Sequence, residues 1–250
     1  MRGLGPRFVD IHSHVVPSGD DGVQSVSEGL SLGRDAFEHG TRLLYATPHV
    51  GPHVPPLDDA RERRIRTAFR ELRERLPLEL RLGFELTPMP SLLGDDPWRF
   101  VLEGTEHVLV EIPFVGSADL FLEVGEWVER AGLTPIVAHP ERTEAVLTDP
   151  GLADELAERG WPLQLNATSL LGYHGPEMER EGWRLIDAGL VSFVASDGHR
   201  ATRPMLLDGA YELTRTRVGE EAALRLFDGS AIGVTAGIVP QGLSQQSLAG

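Results

Sequence analysis

His12 and His14 stand one residue apart at the end of a short apolar run, Phe8-Val9-Asp10-Ile11, and Asp20-Asp21-Gly22 follows in a turn marked by Pro17 and Gly19. Residues i and i+2 of an extended strand point to one side, so both imidazoles are expected to reach into one site. Two imidazoles with a carboxylate pair nearby supply nitrogen and oxygen ligands of the kind that suit Mn, Fe or Zn. For this stretch alone a plainer reading stays open: two histidines satisfied by hydrogen bonds at a strand end.

The elements that would position these groups are legible in the apolar periodicity. Seven β-branched runs read as strands: Phe8 to His12, Arg42 to Thr47, Leu78 to Glu85, His107 to Ile112, Pro135 to His139, Pro162 to Asn166 and Val191 to Asp197. Helical patterns lie between them, at Ser25 to His39, Asp58 to Arg75, a shorter Asp96 to Glu103, Ala118 to Ala131, Leu152 to Arg159 and Pro176 to Ala188. Several end at a glycine stop, as at Gly40, Gly132, Gly160 and Gly189. Pro204 to Arg217 and Glu220 to Phe227 read as two closing helices. Such alternation predicts βαβ units around a largely parallel sheet. A chain of 250 residues, 41% hydrophobic, fits one α/β barrel domain over residues 1–235, with a Gly, Ser, Gln and Pro-rich tail from Ala236 to the end.

The polar residues then fall into a pattern. In parallel α/β barrels the active site forms at the carboxyl ends of the strands. Here those ends read His12 and His14, Thr47-Pro48-His49, Glu85, Glu111-Ile112-Pro113, His139-Pro140-Glu141-Arg142, Asn166, and Asp197-Gly198-His199. Singly, an acidic residue at such a place is readily a cap or a turn former; that explanation would have to hold at every strand end. His39, His53, His107 and His174 lie outside the set, although His53 and His174 are loop residues that could reach a substrate.

Composition narrows the function. The formal charge of −15 disfavours nucleic-acid and anionic-membrane surfaces, both of which need a basic footprint. Zero cysteines exclude a cysteine nucleophile and thiolate metal sites. No run is apolar and long enough to span a bilayer, and Met1 to Pro6 holds no apolar stretch of signal length, so a cytoplasmic protein is expected.

Taken together, Asp10-Ile11-His12-Ser13-His14, Asp20-Asp21-Gly22, Thr47-Pro48-His49, Glu85, Glu111-Ile112-Pro113, His139-Pro140-Glu141-Arg142, the Asn166 to Gly172 run and Ser196-Asp197-Gly198-His199 resemble the PHP (polymerase and histidinol phosphatase) superfamily. Closer still, they resemble the bacterial PHP-type protein tyrosine phosphatases of capsule and exopolysaccharide loci. The resemblance implies a distorted, TIM-like (β/α)7 barrel holding three divalent metals, with Mn expected and Fe or Zn as alternatives. It implies one ion on His12, His14, Glu85 and Asp197, a second on Glu85, Glu111 and His139, and a third on Asp21, His49 and His199. Arg142 matches the phosphate-binding arginine of that family. A second arginine belongs shortly after the last histidine, where Arg200 and Arg203 both stand; Arg203 is carried as the candidate. The implied partner is a phosphotyrosine protein, such as a bacterial tyrosine kinase of a polysaccharide locus.

Clustered dications lower the pKa of a bound water from ~15.7 toward ~7, which supplies a nucleophile without a side-chain base. Direct attack of metal-bound hydroxide on the phosphoryl group, with no phosphoenzyme, is therefore expected. Arg142 would add fork-shaped hydrogen bonds to the phosphoryl oxygens; its structural alternative is a salt bridge to Glu141 or Glu144. Asp20 is a candidate to assist the leaving oxygen, or else only shapes its turn. A PHP phosphatase for a small metabolite such as histidinol phosphate is the alternative activity, and a non-catalytic PHP-fold binding module is the rival of another class.

Overall fold

A computed structural model of the chain describes residues 6–236. The strands are β1 (Phe8–Asp10), β2 (Thr41–Ala46), β3 (His49–Val50), β4 (Glu79–Leu82), β5 (Glu85–Leu86), β6 (His107–Glu111), β7 (Thr134–Ala138), β8 (Leu163–Asn166) and β9 (Val191–Ala195). All their pairings are parallel, in the orders β1-β2-β4 and β3-β5-β6-β7-β8-β9. The expected runs are thus all present, but two of them are broken. The second strand resumes as β3 after Thr47-Pro48, where proline removes a ladder donor, and the third resumes as β5 after Gly83-Phe84. Gly83 donates to the Ala46 carbonyl at 2.9 Å and Glu85 to that of Pro48 at 3.3 Å, which joins the two sheets.

At the opposite seam, Asp197 N donates to His12 O at 2.9 Å and His14 N to Gly198 O at 2.7 Å, with a parallel bridge between Ser13 and Gly198. The ring closes there, giving the distorted seven-stranded α/β barrel. Gly198 is required at this seam, because an added Cβ would lie 2.3 Å from Met205 Cγ.

Helices α1 (Val26–Glu38), α2 (Asp59–Arg75), α3 (Asp119–Arg130), α4 (Glu144–Thr148), α5 (Gly151–Glu158), α6 (Ala167–Leu170), α7 (Pro176–Asp187), α8 (Asp208–Val218) and α9 (Glu220–Phe227) cover the ring. Ser25 and Asp58 cap α1 and α2 by accepting from Glu28 N and Arg61 N. Apolar side chains form two clusters. Val9, Ile11, Leu43, Tyr45, Leu109, Ile136, Ala138, Phe193 and Ala195 come from β1 and the residue after it, β2, β6, β7 and β9 and, with Ile232 and Val234, fill the interior of the ring. The alternate strand positions, such as Leu44, Leu80, Val108, Val110, Val137, Leu163 and Val194, pack outward against the helices.

Two helical expectations need correction. Asp96 to Glu103 forms only a 3₁₀ turn over Pro97–Phe100, because Leu102 N is drawn to His107 O and Glu103 N to Leu82 O. The helix expected from Pro204 starts at Asp208, since Arg203 is held in a turn with Arg200 and His199. The short α4 and α6 add to the expected helices. No helix among the described residues is long and apolar enough to cross a membrane. The expected tail lies outside the described residues except for Ala236.

Candidate active site

The carboxyl ends of the strands converge on Glu85, which begins β5 at the barrel mouth and is fully buried. Its Oε2 lies 3.0 Å from His12 Nε2, 3.1 Å from His14 Nε2 and 3.1 Å from His49 Nδ1. None of these approaches is aligned as a hydrogen bond, so Oε2 and His49 Nδ1 are buried without a hydrogen-bond partner. Its Oε1 meets His139 Nε2 at 3.0 Å. His12 Nε2 and His14 Nε2 face one another at 3.3 Å, the common side expected from their spacing. Lone pairs directed at a common region, rather than at protons, are what a cation site requires.

Ligand atoms of His12, His14, Glu85 and Asp197 lie within 4.8 Å of one another; so do those of His14, Asp21, His49 and His199, and those of His49, Glu85 and Glu111. The expected residues are therefore brought together, but their division differs in two places. His14 belongs to two groups, and His49 joins Glu85 and Glu111 where His139 was expected. His139 still reaches both carboxylates, at 3.0 Å from Glu85 and 3.8 Å from Glu111. Asp21 is largely exposed and closes the outer group, 3.2 Å from His199 Nε2 and 3.7 Å from His49 Nε2.

Local backbone and buried polar partners hold this arrangement. His139 and Asp197 both take left-handed conformations, φ 34° and 48°, at the ends of β7 and β9, the kind of strain that clusters at functional sites. His12 Nδ1 meets Gln164 Oε1 at 2.9 Å, Gln164 Nε2 donates to Asn166 Oδ1 at 2.9 Å, and Asn166 Nδ2 donates to Asp197 Oδ2 at 2.7 Å. This buried chain directs the other nitrogen of His12 toward Glu85. Thr87 donates its hydroxyl to Glu111. Asp10 Oδ1 accepts from His12 N at 3.3 Å and Ser196 N at 3.0 Å, tying β1 to β9; burial raises its carboxyl to about 6.

Electrostatics suit a site that takes divalent cations. Burial, then the Glu85 carboxylate, pushes Glu111 up to about 8. Burial also opposes protonation of His12 and His14, but Glu85 and Asp197 outweigh it and hold both rings above the usual range. Acidic and imidazole groups that compete for protons in this way are neutralised together by divalent cations.

The two arginines after the last histidine point to different places. Arg200 turns outward to Glu28 at 3.1 Å, whereas Arg203 lies 3.4 Å from Asp197 Oδ1 and against the His199 ring. Arg142 Nη1 donates to Asp197 Oδ2 at 2.9 Å. The alternative salt bridges of Arg142 are not formed: Glu141 accepts from Asn166 N and Ser169 Oγ, and Glu144 from Gly116 N. Both Arg142 and Arg203 keep a buried Nε without a partner. Asp20, expected either to assist the leaving oxygen or only to shape its turn, also faces the histidines. It is buried, with Oδ1 accepting from Gly22 N at 3.0 Å and Oδ2 accepting from His49 N at 3.1 Å and lying 3.4 Å from His14 Nδ1, so it orients the two histidines and is held ionised.

The model of the capsular polysaccharide synthesis family CpsB/CapC matches residues 8–234. The chain belongs to the CpsB/CapC family. Among its relatives, tyrosine-protein phosphatase YwqE of Bacillus subtilis (strain 168) is 29% identical over 230 residues, 90% of this chain and 91% of that protein. The putative tyrosine-protein phosphatase CapC of Staphylococcus aureus is 31% identical over 215 residues, 80% of each chain. A chain from the crystal structures of YwqE from Bacillus subtilis and CpsB from Streptococcus pneumoniae, described as unique metal-dependent tyrosine phosphatases, superposes with a TM-score of 0.78 at 29% identity, covering 87% of this chain and 90% of that one.

This member of the CpsB/CapC family also uses residues that carry no chemical signature in the sequence. Arg61, buried in the first turn of α2, donates from Nε to Ser18 O at 2.9 Å, from Nη1 to Pro55 O at 2.6 Å and from Nη2 to His49 O at 2.9 Å. It clamps the loop before Asp20 and Asp21 to the proline-rich loop that starts at His49. Gln164 is the other omission; a lone polar residue inside the apolar run Pro162 to Asn166 is its only signal. His174 bonds to Thr168 Oγ1 at 2.9 Å beside the site, while His107 starts β6 away from the ligand groups.

Proposed function

We propose that the protein is a metal-dependent phosphomonoester hydrolase acting on phosphotyrosine in proteins. The observation that carries this reading is the convergence of three imidazoles on the unpartnered Oε2 of Glu85, flanked by two arginines with unpartnered buried Nε groups. The ligands would be His12, His14, Glu85 and Asp197 for one ion, Glu85 and Glu111 with His49 or His139 for a second, and Asp21, His49 and His199, joined by His14, for a third. Manganese is our first choice, with iron or zinc as alternatives, since the oxygen and imidazole donors suit all three. Bound there, such cations supply Lewis acidity toward phosphoryl oxygens and an acidified water.

The chain's own residues divide the remaining work. Arg142 and Arg203 grip the nonbridging oxygens from the rim, where a planar fork matches them. Gln164, Asn166 and Asp20 keep the histidines aimed. The phenolate leaving group, of pKa ~10, departs without a strong acid, consistent with the ionised Asp20. A single domain over residues 1–235 would carry the activity in the cytoplasm. The names of the relatives support a phosphotyrosine protein as substrate, and a tyrosine kinase of a polysaccharide locus is our candidate for it.

The test is hydrolysis of a phosphotyrosine peptide beside histidinol phosphate, each with added Mn and with chelator. We expect preference for the peptide, loss with chelator, and loss on Glu85→Gln with the fold intact by circular dichroism. Less than one equivalent of Mn, Fe or Zn after purification, with no activation on adding them, would refute the reading. Preference for histidinol phosphate would replace the substrate assignment.

A further inference from the structure

Phe114 follows Glu111-Ile112-Pro113 at the end of β6, and its ring is near-parallel to that of His139, with centroids 5.4 Å apart and planes at 16°. The guanidinium carbon of Arg142 sits 4.8 Å from the same centroid. Phe114 belongs to neither apolar cluster and stays 45% exposed, and the next residue, Val115, is 79% exposed. The loop is nevertheless anchored. Glu144 N donates to Phe114 O at 3.0 Å, and Gly116 N donates to the Glu144 carboxylate at 2.9 Å. A large apolar ring is therefore held in place at the rim, half in solvent, where burial does not account for it.

We propose that Phe114 is a specificity-determining residue whose exposed side receives the aromatic ring of an aryl phosphate. The inference rests on the phosphatase reading above and adds the group that selects the alcohol portion of the ester. In an aryl phosphate one oxygen separates the ring from phosphorus, so when Arg142 grips the phosphate the ring lies beside whatever flanks that guanidinium. Phe114 flanks it. Aromatic pairs favour offset or edge-to-face contact, and the 45% exposure of Phe114 leaves ring surface for such a contact. An alkyl phosphate gains nothing from such a wall.

The alternative is that Phe114 merely props Arg142 and His139, which would affect every phosphate ligand alike. Phenylphosphonate and methylphosphonate separate the two, because they share a head group and differ in the ring. Calorimetric titration of each into the Mn-loaded protein is compared for wild type and Phe114→Leu, which keeps apolar bulk but lacks a ring. We expect wild type to prefer phenylphosphonate by about tenfold, near 1.4 kcal/mol, and Phe114→Leu to lower that preference below threefold while binding methylphosphonate within threefold of wild type. Phe114→Tyr should restore the preference. A preference that survives in Phe114→Leu, an equal loss for both ligands, or no preference in wild type would overturn the proposal. Turnover of a phosphotyrosine peptide, run in parallel, tells its failure apart from failure of the phosphatase reading.

Discussion

Replacing Arg61 with methionine tests how the outer part of the site is assembled. The side chain is 1% exposed, and each of its three hydrogen-bonding nitrogens donates to a backbone carbonyl, those of Ser18, Pro55 and His49. Three charge-assisted bonds at about 1.5–3 kcal/mol each bound the loss at roughly 5–9 kcal/mol. Methionine also removes the desolvation cost of a buried guanidinium, several kcal/mol, so a net loss of about 3 kcal/mol is expected. The damage should be local. Asp20 and Asp21 hang from the clamped loop and His49 has its own carbonyl held by Arg61, whereas His12, Glu85, His139 and Asp197 are fixed by strand ends and by Gln164 and Asn166. Urea unfolding of the metal-free protein reads the stability, and elemental analysis after desalting reads metal content, which should fall by about one equivalent while the inner ions persist. Arg61→Lys, which keeps the charge without the fork, should recover only part of both. A methionine variant within about 1 kcal/mol of wild type and with unchanged metal content would refute the clamp.

Arg142→Lys should be nearly as harmful as Arg142→Ala, each costing about 30- to 1000-fold in kcat/KM on an aryl phosphate; a loss below threefold for the alanine variant with metals retained returns Arg142 to a structural role. Gln164→Leu should weaken metal binding about 10- to 100-fold by freeing His12 to rotate, measured by competition with a fluorescent chelator, and an affinity within threefold of wild type would dismiss that role. Burial, reinforced by the Arg142 and Arg203 cations, holds the imidazole of His174 at about 4 instead of 6.5. Between those values the unfolded chain binds the proton and the folded one does not, so stability falls as pH drops from 6.5 through about 4. The full shift would be worth ~3 kcal/mol, reduced to about 1 because the ring is partly exposed. His174→Gln should therefore gain by that amount relative to wild type between pH 7.5 and 4.5 in urea unfolding, and a constant difference across that range would count against it.

Residues with a chemical signature are legible in the amino-acid sequence alone. His12, His14, His49, Glu85, Glu111, His139, Asp197 and His199 stand at the ends of apolar runs, and a parallel barrel must gather such ends on one face. Residues whose role is only to position others are not. Arg61 reads as one more charge on an amphipathic helix, and Gln164 as an ordinary polar residue in a strand, because nothing local distinguishes a side chain that reaches a carbonyl twelve or forty-three positions away. Asp20 is a further case: its burial between His14 and the His49 amide is a tertiary fact that its place beside Asp21 does not reveal.

Residue type and period by themselves thus determined the α/β alternation, the seven apolar runs and the polar character of their carboxyl ends, since side-chain chemistry and backbone periodicity are local properties. Tertiary structure decided the interruptions that create β3 and β5, the closure of the ring through Ser13 and Gly198, the sharing of His14 and His49 among the groups that could hold a metal, and the placing of Arg203 beside Asp197 and of Arg200 away from it. Each of these depends on the register between distant strands and on which loop packs over which. Those are set by the pairing of backbone groups far apart in the chain, and no window of sequence contains both partners.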